Sequence, residues 1–163
     1  MRGAGDGGEG DGNRGGAGSC GPRAKGDPLS VSTTPAAFEA VSSRSFDETV
    51  SRVRELLAAE GFGIVMEIDM AATLKKKLDV DVPPYLILGA CHAPSARKAL
   101  EAAPEVGVLL PCNVTVSVET GRTVVRAMNP ESVLSVVGKP SLRPIGAEVG
   151  AGLRRVVTTL ASA

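Results

Sequence analysis

The stretch GVLLPCNVTVSVETGRTVVRAM, residues 107–128, decides the fold class. From Gly107 onward, Val108, Leu110, Cys112, Val114, Val116 and Val118 share one face of an extended chain. Leu109, Pro111, Asn113, Thr115 and Ser117 share the other, which is the period of two that a half-buried strand requires. Proline donates no ladder hydrogen bond, so Pro111 predicts a sheet edge or a bulge. Thr120-Gly121-Arg122 then turns the chain, and Thr123 to Met128 return as the second arm of a hairpin.

Upstream, Tyr85 to Ala90 (YLILGA) is almost wholly apolar and reads as a central strand covered on both faces. A helix follows from about Pro94 to Ala102, with proline in the first turn, where its missing N–H costs nothing. Its small residues Ala96, Ala99 and Ala103 allow close packing. Before Pro83-Pro84, Asp69 is placed to cap a short helix running to Leu78, and Phe62 to Ile68 alternate as a strand. Further upstream, Ser45 and Glu48 form a capping-box pattern. Phe46, Val50, Val53 and Leu57 then line one helical face that Gly61 closes. Phe38 to Ser42 read as a short first strand.

Downstream of the hairpin, Asn129-Pro130-Glu131 starts a short helix ending at Gly138. Residues 145–161 read as a last helix, weakened by Gly150 and Gly152. Strands and helices alternate early, and a hairpin closes the sheet. The expected class is α+β: a small mixed sheet of about five strands with helices mainly on one face.

Residues 1–37 form a glycine-rich head with no apolar period, too poor in burial to offset its ordering entropy, so it is expected to be disordered. Residues 38–161 are expected to be one domain. Apolar residues make up 43% of the chain, enough for a core. The aromatics are only Phe38, Phe46, Phe62 and Tyr85, so the core must be aliphatic, and base-stacking platforms or cation cages are disfavoured.

Eighteen basic residues balance eighteen acidic ones. The one basic run, Lys75-Lys76-Lys77, reads as a solvated helix face, so no nucleic-acid partner is expected. Three cysteines, Cys20, Cys91 and Cys112, do not make a disulfide framework. Neither a secretory h-region nor a run of about 20 apolar residues is present, which points to a cytoplasmic protein without a membrane partner.

The run LGACHAPSARKALEAAPEVGVLLPCNV, residues 88–114, is the most distinctive in the chain. With DMAATLKKKLDVDVPPY before it and MNPESVLSVVGKP after it, it resembles the domain-of-unknown-function family 302 over roughly residues 38–160. The resemblance implies a compact α+β fold, often as a homodimer, and implies no substrate. Where members commonly carry Asn after the first cysteine, this chain has His92. Where they commonly carry Asp before the later proline, it has Asn129.

Cys91, His92, Cys112 and Asn113 are the reactive or polar residues set inside apolar runs, and they are the candidate binding residues. Cys91 ends a strand at a helix N-terminus, a setting that favours thiolate and anions. Each thiol can equally be core packing, since free cysteine behaves as a small hydrophobe. Cys91, His92 and Cys112 supply three possible metal ligands, but the spacing fits no standard finger. No phosphate loop, nucleophile elbow or zincin motif occurs, and no cofactor is expected. The leading expectation is a non-enzymatic homodimeric module that binds a small ligand or a protein partner. The alternative is a thiol-redox or metal-handling protein using Cys91 and Cys112 with His92. Any pocket should form where strand 85–90 passes into the helix at 94, bordered by Pro111, Cys112 and Asn113.

Overall fold

A computed structural model describes residues 30–162, so the head up to residue 29, with Cys20, lies outside the described residues. The chain runs β1 (Ser32–Thr33), β2 (Ala37–Ser42), α1 (Phe46–Ala59), β3 (Gly63–Asp69), α2 (Met70–Leu78), β4 (Tyr85–Cys91) and α3 (Ala93–Ala102). It continues through a 3-10 segment (Pro104–Leu109), β5 (Cys112–Glu119), β6 (Arg122–Met128), α4 (Pro130–Ser135) and α5 (Arg143–Ala161). The α+β class holds. The sheet has six strands in the order β1-β2-β6-β5-β4-β3, and every pairing is antiparallel, where about five strands in a mixed sheet were expected.

Local chemistry explains most of the helix boundaries. The Ser45–Glu48 capping box is formed in both directions. The Asp69 side chain accepts from the Ala72 N–H and starts α2. Gly61 takes the left-handed φ of +81° that ends α1. Thr120 and Gly121 both have positive φ, as a tight two-residue hairpin turn demands.

One face of the sheet carries the core. Phe38, Ala40, Leu86, Leu88, Val114, Val116, Val125 and Ala127 are buried there beneath α1 and α5. α5 is the most deeply packed helix, with Val149, Leu153, Val156, Val157 and Leu160 all buried. Of the two glycines expected to weaken it, Gly152 is required by packing, whereas at Gly150 an added Cβ would make only ordinary contact, 3.6 Å from Pro130 Cδ. A Cβ on Gly146 would lie 3.1 Å from the backbone of Pro130 and Glu131, and one on Gly152 would lie 3.0 Å from the Phe62 ring. These are contact glycines, needed for close approach.

Two readings of the central stretch change. Residues 104–109 form a 3-10 segment, so the strand begins at Cys112 and not at Gly107. Val108, expected on the buried face, is 87% exposed. Pro104 and the tight turn it starts override the alternation ahead of Cys112, which rested on Val108 and Leu110 alone. Pro111 marks neither edge nor bulge: it precedes β5, an interior strand, and the Leu110–Pro111 peptide is cis. β4 is buried beneath the main helix layer on one face and only partly covered, by α2, on the other. Tyr85 and Ile87 remain half-buried on that side, where Met70 and Leu74 of α2 flank them.

Residues before Phe38 also join the fold. β1 pairs with β2, Val31 packs against the core, and the Asn129 N–H donates to the Ala36 carbonyl.

Candidate functional site

A small cavity opens where β4 ends, between that strand, α3, α4 and α5. Cys91, His92 and Cys112 all line it, together with Ser95, Leu110 and Met128. Its volume is about 20 Å³, room for about one water-sized guest. Apart from the two thiols, His92 and Ser95, the wall is apolar, and no carboxylate, lysine or arginine lines it.

Strand register explains the convergence. Ala90 pairs with Cys112, so the start of β5 lies beside the end of β4. Cys112 turns inward among buried side chains and is 6% exposed. Burial pushes its thiol up to about 11, and the neighbouring Cys91 adds to the rise. Cys112 therefore stays protonated and is a poor nucleophile at neutral pH. Cys91 is half-buried at the last position of β4.

His92 occupies the N-cap position of α3, in extended backbone. Its Nδ1 lies 2.8 Å from Ser95 Oγ, and its ring packs on Phe62 with centroids 5.5 Å apart. The other side of the ring faces Gly61, where a Cβ would lie 3.4 Å from Nε2. Ser95 is buried, and the sequence reading passed over it. Its signal was position: the third residue after an N-cap is where a capping partner sits.

Asn113 does not join the site. It is exposed on the outer face of the sheet opposite Gly89, because successive strand residues alternate faces and Cys112 takes the inner one. Pro111 also stays off the wall, and Leu110 takes its place. Among the described residues, no group of three or more His, Cys, Asp or Glu side chains is arranged to hold a metal ion. Glu67 and Asp69 stand away from the cavity, Glu67 paired with Arg54 and Asp69 capping α2. No helix among the described residues is long and apolar enough to cross a membrane.

The outer face holds two further features. Arg126 bridges Glu39 of β2 and Glu119 of β5 across three strands. Its hydrogen bonds, with Ser117 assisting, hold the Glu119 carboxyl down to about 2. Beside it, Met70, Leu74, Tyr85 and Ile87 border an apolar bowl of about 410 Å³.

No curated protein matches the sequence. A solved structure does: an uncharacterized conserved DUF302 protein from Bacillus stearothermophilus. It is 27% identical, with a TM-score of 0.72, over 76% of this chain and 97% of that one. The model of the domain of unknown function DUF302 matches residues 38–160, the whole sheet but its first strand and all five helices, and the chain thus belongs to the DUF302 family.

Proposed function

We propose that the protein is a homodimeric, non-enzymatic binding module whose guest is a small apolar molecule seated beneath Cys91 and His92. One observation carries the reading: the cavity at the end of β4 sets four polar side chains, Cys91, His92, Ser95 and Cys112, in an otherwise apolar wall and offers no carboxylate, lysine or arginine. That arrangement orients a guest and supplies no acid–base pair. His92 Nδ1 is already engaged by Ser95, and Cys112 is held protonated. A guest larger than water requires the wall to yield, and Met128, a residue type that adapts readily, is part of that wall.

Self-association is supported by β3, an edge strand on which Val65 and Met66 are exposed, and by the adjacent apolar bowl on the open sheet face. The thiol-redox reading has in its favour that Cys91 lies near enough to raise the Cys112 thiol. The height of that thiol's pKa weighs against it.

Native mass spectrometry of the full chain tests the proposal. A dimer mass is expected, with Cys91 alkylated by iodoacetamide no faster than a free model thiol and slowed further by a small apolar probe such as benzene. A monomer at tens of micromolar, a range where weak dimers still form, overturns the dimer. Cys91 alkylation that outpaces the model thiol and ignores benzene overturns the ligand reading in favour of thiol chemistry.

A further inference from the structure

The opposite end of the sheet holds a second opening, a groove of about 700 Å³ between the N-terminus of α1 and the β5–β6 turn. Its floor is polar, at the end of a core that is otherwise aliphatic. Ser42 and Thr123 face each other across the β2–β6 pairing and are 6% and 7% exposed. Ser42 Oγ is satisfied, accepting from Thr49 Oγ1 at 2.9 Å and from the Arg44 N–H at 3.2 Å. Thr123 Oγ1 is not: among the described residues it makes no hydrogen bond, yet it lines the groove. Its oxygen is not sealed from solvent, so within the groove it is open to donate to a guest.

Arg44 and Arg122 both line the same groove. A guanidinium carries five donors, so each can hold an anion alongside its other contacts. The start of α1 adds backbone donors. The capping box satisfies the N–H groups of Ser45 and Glu48, which leaves those of Phe46 and Asp47 without intrahelical partners. Three acids lie close by. Glu48 is folded back onto Ser45, Glu119 is bound by Arg126, and Asp47 points to solvent. Val41, Phe46 and Val118 complete the groove with apolar surface.

We infer that this groove binds the phosphate of a small organic phosphomonoester, with Arg44 and Arg122 on the dianion, Thr123 Oγ1 donating to it, and the organic part against Phe46 and Val118. The site is separate from the cavity at Cys91 and stands or falls independently of it.

Amide chemical shifts of the full chain, titrated at constant ionic strength with phenyl phosphate, inorganic phosphate and chloride, test the inference. Phenyl phosphate is expected to saturate below ~1 mM, moving residues 41–46 and 118–123, with phosphate weaker and chloride without effect. Arg44→Gln and Arg122→Gln should each weaken binding about tenfold, the scale of a charge-assisted contact. Thr123→Val should weaken it about fivefold and Thr123→Ser restore it. Linear shifts that never saturate, or equal responses to phosphate and chloride, overturn the site. So does a folded Thr123→Val chain that binds as the parent does. Should Thr123→Val fail to fold, the comparison of anions on the parent chain still decides.

Discussion

Gly89 is the residue on which the neck between β4 and β5 depends. A Cβ there would lie 2.7 Å from Pro111 Cγ and 3.0 Å from Met66 Cβ, and the proline ring cannot swing aside. Gly89→Ala is expected to destabilise the fold by about 1–3 kcal/mol, the usual cost of overpacking, read as a lower urea midpoint at unchanged m-value. Cys112 gives a prediction of a different kind. Its folded pKa is raised from 9.0 to about 11, so the folded state holds a proton that the unfolded state releases first. Stability from this source is complete below pH 9 and falls as pH rises through 11. Unfolding curves of Cys112→Ala should show a flatter decline across that window, and an unchanged slope would place the titration elsewhere. The residue types of the cavity were legible in the sequence because reactive side chains inside apolar runs stand out. Asn113 was grouped with them by motif, although the alternation had already set it on the face opposite Cys112, where the structure places it.

At the scale of elements, the caps were the most legible feature. Ser45, Glu48 and Asp69 act through hydrogen bonds to residues three positions away, so their signal is entirely local. Ser45→Ala should cost about 1 kcal/mol by removing the Ser45 half of the box, measured by thermal unfolding, with Ser45→Asp retaining most of the stability. The 3-10 segment at Pro104–Leu109 was not legible, because a short alternating apolar run suits a strand and a tight helix alike. Gly152 of α5 was misread for a related reason. Propensity counts it as a loss, whereas it admits the Phe62 ring to contact, as Gly146 admits α4, and such contacts depend on partners distant in sequence.

For the whole molecule, the sheet order could not be read from any window, since β2 pairs with β6 and the two are far apart in the chain. The same pairing bears on the N-terminal boundary. Asn129 is buried, its N–H donates to the Ala36 carbonyl, and its side-chain amide donates to the Thr34 carbonyl. A chain begun at Ser30 should therefore unfold as the parent does. One begun at Phe38 should lose more than ~1 kcal/mol, since a buried N–H is left unpaired. Equal denaturation midpoints for the two would contradict this.

The β2–β6 pairing also sets a timetable for synthesis. β2 leaves the ribosome early, but the strand that flanks it on the core side ends only at Met128. At ~5–20 residues per second, that strand waits roughly 4–17 s for its neighbour. During that interval Phe38 and Ala40 have neither sheet nor completed helix layer to bury them. The nascent chain thus carries this apolar strand unpaired, and hydrogen exchange on chains stalled before Arg122 should find the amides of β2 unprotected.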